Sequence, residues 1–478
     1  VTVSTDVTIR GRLVIIDAGA PVLRDGVVEI SGGRIADVRP AREDDRGPVH
    51  DVVMPGLIDA HSHARAVPVE DHGISGGPLE RFLVLLSAMT PLDPGDEAQV
   101  AADAGLAAGI TSTQVIHHSF AVPAGYVEHG RAIAAGYAAA GARAFISLAL
   151  TDQDEWAPAT LLAAMASAET DTTAIPGPVR AIDAAGYVQL TATLLDSAPV
   201  DGGRVPGPEV TFDGVGPVAP QWCSAATNAA IGAVRGGARV HAHLLESHDQ
   251  HLAAACVDPV ESLADAGLLG SWSSFAHGVW LSDSGRHRLA AAGATVVHNP
   301  GSNRRLGAGR CQVRALLDAG VNVALGIDSN GATAEPDMFA EMRTALEIAA
   351  ELGAPLSAAE VLAMATTGGA QALCRPELGV LAANTPADVI ALALPGVTEA
   401  ADPVAHLVEH AGRDHVQSRW IAGQRREPTG AQPARARLQA ALDADMTARS
   451  ARLVRAEDDW RTVQRAWTTF RTRTATTI

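Results

Sequence analysis

Two histidines two residues apart, His61 and His63 in the string PGLIDAHSH, have a spacing that suits metal chemistry. Alternate residues of an extended strand point the same way, so both imidazoles can face one ion. A second group lies in VHAHLLES, where His243 and Glu246 form an HxxE pair. Neutral imidazole is a good ligand for zinc or iron. A carboxylate three residues on can reach a water at the metal without ligating the metal itself. His241, two residues before His243 on the same strand face, is the competing donor. FAHGVWL offers His277, either beside the metal, able to orient water, or as a satisfied core histidine. In VNVALGIDSN, Asp328 ends a nearly apolar run, where a carboxylate is costly unless paired or metal-bound. The plainer alternative is an Asp capping the next helix. His298 and Asn303, in VVHNPGSNRRLGAG, are candidates to shape a pocket or bind substrate, or simply to support their loop. His117 and His118 are further pocket candidates.

These residues need a scaffold that brings distant segments together. Residues 56–384 alternate short apolar strand candidates with Ala-rich helical stretches such as DEAQVAADAGLAAG and CQVRALLDAG. The strand candidates end near His63, Val115, Ala149, Val215, Leu244, Gly278, Asn299 and Asp328. Eight strands alternating with helices predict an α/β fold, a (β/α)8 TIM-type barrel. His61, His63, His243, His277, His298 and Asp328 then fall at strand C-termini, the end that carries the active site in barrel enzymes. Residues 1–55 read as short β segments with a turn at Gly32-Gly33. Matching β-like stretches return in ADVIALAL (387–394) and HVQSRWIAGQRRE (415–427). The expected organisation is a small β-sandwich from 1–55 plus 385–430, a barrel over 56–384, and a helical extension over 431–478. Residues 151–208 read as an insertion between strands 3 and 4, helical at first.

Composition narrows the function classes. A net charge of −18 over 478 residues argues against a nucleic-acid or anionic-membrane surface. Cys223, Cys256, Cys311 and Cys374 form no CxxC pair, which fits a reducing cytoplasm. No apolar run reaches the roughly 18 residues of a membrane span. The chain contains no lysine, so a Schiff-base lysine, a P-loop lysine and a carbamylated-lysine metal bridge are all impossible.

The ordered HxH, HxxE, His and Asp, with PGLIDAHSH and VVHNPGSNRRLGAG, resemble the amidohydrolase superfamily over residues 8–426. The nearest branch contains S-adenosylhomocysteine and guanine deaminases and the triazine hydrolases. The resemblance implies one divalent metal, zinc or alternatively iron(II), held by His61, His63, His243 and Asp328. It favours His243 over His241 because HxxE is the pattern of the family's deaminases. It makes Glu246 the proton shuttle and His277 the catalytic histidine, with Asp328 also steadying the nucleophile. Binuclear relatives bridge two metals with a carbamylated lysine, so the absence of lysine is consistent with a mononuclear centre. One departure concerns GPVAPQWCS, where Val218 stands about where many relatives carry a substrate-binding histidine. Gln221 and Trp222 beside it suit hydrogen bonding to, and stacking on, a flat polar ring. Arg65, just past the HxH pair, supports a competing reading in which an anionic substrate group is recognised. The implied activity is hydrolysis of a non-peptide C–N bond: deamination of a small amino-substituted N-heterocycle by a metal-activated hydroxide. The alternatives are cyclic-amide opening, as in imidazolonepropionase, triazine dechlorination, and a non-catalytic scaffold. A homo-oligomer, dimer or larger, is expected.

Overall fold

The computed structural model describes residues 7–118, 123–153, 162, 165, 183–197, 209–254, 258–328 and 335–474. The chain opens with four strands, β1 (Val7–Val14), β2 (Leu23–Ser31), β3 (Arg34–Pro40) and β4 (Val49–Pro55). Gly32 (φ 58°) and Gly33 (φ 81°) turn β2 into β3, and this left-handed backbone is the reason two glycines stand together there. Three late strands, β13 (Val389–Leu392), β14 (Val416–Ile421) and β15 (Gln424–Arg425), join them. Together they make one seven-stranded sheet in the order β15-β14-β13-β4-β1-β2-β3. Alternation along the strands buries both faces. Leu13, Val52 and Ile390 belong to the main core shared with the barrel. Their neighbours Val14, Val53 and Val389 build a separate core with Trp420.

The second sheet is the barrel. Its strands are β5 (Leu57–Ser62), β6 (Ile110–His117), β7 (Arg143–Leu150), β8 (Val210–Pro217), β9 (Arg239–Leu244), β10 (Ser273–His277), β11 (Thr295–His298) and β12 (Asn322–Leu325). All pair in sequence order and in parallel. The ring closes beyond β12, where Asp328 bridges Ser62. There the Asp328 N–H donates to the His61 carbonyl at 2.8 Å, and the His63 N–H donates to the Asp328 carbonyl at 3.2 Å. The seam of the barrel thus runs through the residues that the sequence singles out for chemistry.

Two helices matter for the site. Leu79–Leu86 lies in the long connection from β5 to β6. Gln432–Thr474 forms one helix of 43 residues whose apolar positions run at helical spacing. Leu438 and Leu442 pack against Val100 and Ala101, and Trp460, Val463, Trp467 and Phe470 pack against Val84. Within the 151–208 insertion, Ala184–Leu195 is a helix capped by Asp183. The expected earlier helical part lies almost wholly outside the described residues. No described helix is long and apolar enough to cross a membrane.

Candidate active site

Four imidazoles and one carboxylate converge at the C-terminal mouth of the barrel. His61 Nε2 and His63 Nε2 lie 3.3 and 3.2 Å from Asp328 Oδ1. His243 Nε2 lies 3.2 Å from His63 Nε2. His277 Nε2 lies 3.5 Å from Glu246 Oε2. Each ring is tethered through its other nitrogen. His61 Nδ1 meets His241 Nε2 at 2.8 Å, and His63 Nδ1 meets His118 Nε2 at 3.1 Å. His243 Nδ1–H donates to the Val218 carbonyl at 2.8 Å, and His277 Nδ1–H donates to Asn303 Oδ1 at 2.8 Å. Ser302 donates its hydroxyl to Asp328 Oδ2 at 2.5 Å. Ring nitrogens anchored outward, with their partners facing a common point, make the outer-shell pattern of metal sites.

The donor set fits a divalent ion. One donor atom from each of His61, His243, His277 and Asp328 lies within 4.8 Å of the others. His63 stands beside this foursome, so His277 is as close to the common centre as the ligands expected from sequence. The buried Nε2 atoms of His61 and His277 have no hydrogen-bond partner, a deficit that a bound cation would remove. Burial, followed by repulsion from His61, holds the His243 imidazole well below its usual range, and burial also lowers His63. Burial pushes His277 down to about 4, against the pull of Asp328. Burial opposes ionisation of Asp328, but the His61 and His63 rings close against its Oδ1 prevail and hold its carboxyl well below the usual range. Neutral imidazoles and an ionised carboxylate are the protonation states that bind a divalent metal. His277 (φ 75°) and Asp328 (φ 71°) both have left-handed backbones, a strain that gathers at functional sites.

The sequence matches the amidohydrolase family over residues 52–426. The chain belongs to the amidohydrolase family. It is 37% identical over 221 residues to a 5'-deoxyadenosine deaminase of Methanosarcina mazei, a match covering 44% of this chain and 50% of that protein. The chain thus spans about half the length of the curated relatives it matches. Two solved structures share the fold. One is an adenosine deaminase from Xanthomonas campestris with bound zinc, 24% identical, with a TM-score of 0.72 over 94% of this chain and 98% of that one. The other is a triazine hydrolase from Arthrobacter aurescens, 22% identical, with a TM-score of 0.73 over 91% and 99%.

In this amidohydrolase a cleft of about 880 Å³, counting its open mouth, lies over the cluster. His63, His118, His243, Glu246, His277 and Asp328 line its floor, and Arg65 and Trp222 line its sides. Trp222 is buried, its ring 6.1 Å from that of His243 and its Nε1 without a hydrogen-bond partner. Other expected substrate contacts lie elsewhere. His117 points away into the core, its Nε2–H donating to the Tyr126 carbonyl at 2.9 Å. Adjacent strand residues face opposite sides, so only His118 of the pair reaches the cleft. Gln221 does not line the cleft and donates to Gln250 Oε1 at 3.1 Å. Asn303 sits behind His277, and His298 is fully buried with neither ring nitrogen partnered.

Several site residues escaped the sequence reading. Asp59 accepts from the backbone N–H of His61 at 3.2 Å and of Ile327 at 2.9 Å, tying β5 to the segment that carries Asp328. It lies two residues before His61, so strand alternation alone places it below the cluster. Leu79, Phe82, Leu83 and Leu86 form an apolar wall of the cleft, at i, i+3, i+4 and i+7 of one helix. That spacing was readable in GGPLERFLVLL, but nothing in it tells a cleft wall from an ordinary barrel helix.

Proposed function

We propose that this amidohydrolase is a metal-dependent hydrolytic deaminase of amino-substituted N-heterocycles, with zinc as its metal. The observation that carries the reading is the convergence of four inward-facing imidazoles and Asp328, with Glu246 against His277. In this reading His61, His63, His243 and Asp328 hold the metal, and His277 stands next to them. When bound, the metal supplies Lewis-acid activation of water near neutral pH. Glu246, buried at the cleft floor, accepts a proton from the attacking water and carries it to a ring nitrogen of the substrate. It then takes the second proton from the hydroxyl newly bonded to the amino-bearing carbon and gives it to the departing nitrogen, because amide ion is too poor a leaving group to depart unprotonated. His277, held by Asn303, keeps a neutral ring beside the amino-bearing carbon. Ser302 fixes one oxygen of Asp328, so the other keeps facing His61 and His63. Trp222 offers an aromatic wall for a flat ring. The resemblance to 5'-deoxyadenosine deaminases supports a purine-type ring.

The test is product analysis with zinc-loaded protein and a panel of purine, pterin, pyrimidine and triazine amines. Ammonia release with loss of the amino group is expected. Chloride or a ring-opened acid without ammonia would replace deamination by one of the alternative hydrolyses. The same reading puts the enzyme in a reducing cytoplasm, supported by the free thiols of Cys223, Cys311 and Cys374. It divides the chain into 1–55 plus 385–430, 56–384 and 431–478, a division supported by the membership of the two sheets and testable by limited proteolysis.

A further inference from the structure

Glu80 is a buried carboxylate in the cleft wall that the chemistry above does not use. It stands in the first turn of the wall helix Leu79–Leu86, between Leu79 and Leu83, which line the cleft. Its own side chain does not line the cleft; Glu80 Oε1 accepts from the Ser247 hydroxyl at 2.5 Å. Ser247 follows Glu246, the proton carrier of the reading above, and both are buried. Hydrogen bonds close this turn on itself. The Gln250 N–H donates to Ser247 Oγ at 3.2 Å, and the Gln250 side-chain oxygen accepts from the Glu246 N–H at 2.7 Å. Leu245, just before Glu246, has a left-handed backbone (φ 46°). The Ser247 hydroxyl therefore ties a tightly wound turn to the wall helix.

Charge makes that tie depend on pH. Two charged side chains act on Glu80 from the elements packed against it. One is Asp249, on the helix His248–Ala254, and the other is Arg471 of the C-terminal helix, itself paired with Asp249. Arg81, next to Glu80 on the wall helix, pairs with Glu457. Burial, then repulsion from Asp249, pushes the Glu80 carboxyl up to about 7, outweighing the pull of the Ser247 hydroxyl and of Arg471. A carboxyl ordinarily near 4.5 thus holds its proton more firmly folded than unfolded. Its contribution to the junction is whole below about 4.5 and is lost as pH rises to about 7.

We propose that Glu80 is a positioning residue: through Ser247 it locks the turn that carries Glu246 to the wall helix. The apolar wall on which a substrate packs and the carboxylate that moves its proton are then held in register as one unit. The catalytic half of this rests on the deaminase reading; the coupling of the two segments does not. Amide hydrogen exchange of the zinc-loaded full chain tests the coupling without turnover. Ser247→Ala should speed exchange about tenfold to a hundredfold in both Leu79–Leu86 and residues 245–250, and Glu80→Ala should do the same. Glu80→Gln keeps the acceptor but cannot ionise. It should match the parent one pH unit below the Glu80 midpoint and exchange more slowly than the parent one unit above it. Faster exchange in one segment alone, or in neither, overturns the proposal, as does an identical pH response in the parent and Glu80→Gln. If Glu80→Ala fails to fold, Ser247→Ala and Glu80→Gln decide on the same terms. Ammonia release from adenosine gives the catalytic readout. Ser247→Ala should lower kcat about tenfold to a hundredfold with zinc content unchanged, and lower it no further in a Glu246→Gln background. An unchanged kcat, or losses that add, overturns the positioning role. If neither adenosine nor the rest of the amine panel releases ammonia, the deaminase reading falls, and exchange alone decides whether Glu80 couples the two segments.

Discussion

Each cluster imidazole has one nitrogen committed to a fixed partner, so the ring positions do not depend on a ligand arriving. Glu246 is different: its backbone is pinned by the Gln250 side chain at 2.7 Å, while its carboxylate faces His277. Glu246→Gln should therefore keep metal content and melting temperature while turnover falls about 10²–10⁴-fold. His63→Ala should lose both metal and activity. Elemental analysis beside steady-state rates checks the pair, and unchanged turnover in metal-loaded Glu246→Gln would remove Glu246 from the mechanism. Trp222→Ala should raise KM about threefold to tenfold, the worth of one aromatic stacking partner, with metal content unchanged. The HxH and HxxE groups were legible because spacing on a strand fixes direction. The choice between His241 and His243 was not, since both share a face. Depth separates them: His241 lies one strand repeat lower and meets His61, Ser274 and Gln114 rather than the cleft. Trp222 was legible as a residue type suited to a ring.

At the scale of elements, the eight barrel strands were legible because each is an apolar run that stops at polar residues. Strand pairing left Asp388, between the β-sheet and the barrel, harder to read. Its Oδ2 pairs with Arg143 on β7 and its Oδ1 accepts from the Ala422 N–H at 2.8 Å, with both side chains buried. Asp388→Ala should cost about 3–5 kcal/mol, because it strands a buried guanidinium, as read from denaturant unfolding. A second joint holds the helix that carries Ser302 and Asn303. Glu341 accepts there from Gly301, and burial pushes its carboxyl up to about 7. A carboxyl ordinarily near 4.5 binds more protons folded than unfolded in this window. Its contribution to stability is thus whole below about 4.5 and is lost as pH rises to about 7. Glu341→Gln keeps an acceptor for Gly301 and should flatten that part of the stability–pH curve relative to the parent. An unchanged curve would show that Glu341 does not titrate there.

At the scale of the whole molecule, the C-terminal helix connects two features that sequence alone kept apart. Its charged and apolar positions read as a tail, yet they clamp the cleft wall from behind. The wall helix has two apolar faces. Leu79, Phe82, Leu83 and Leu86 line the cleft, whereas Val84 and Leu85 pack on Trp460 and Ala456 of the C-terminal helix. Polar ties reinforce the clamp: Arg81 pairs with Glu457, and Arg452 donates to the Met89 carbonyl at 3.3 Å. Packing at this end therefore sets how firmly the wall is held over the histidine–aspartate cluster, although none of it touches those residues. Trp460→Ala should cost about 3–5 kcal/mol of local packing and free the wall helix to move. Substrate affinity should then weaken, seen as a raised KM and faster amide exchange over Leu79–Leu86, with metal content unchanged. A variant with normal KM and normal exchange in that helix would show that the barrel alone holds the wall. The C-terminal helix would then stabilise the protein without shaping its cleft.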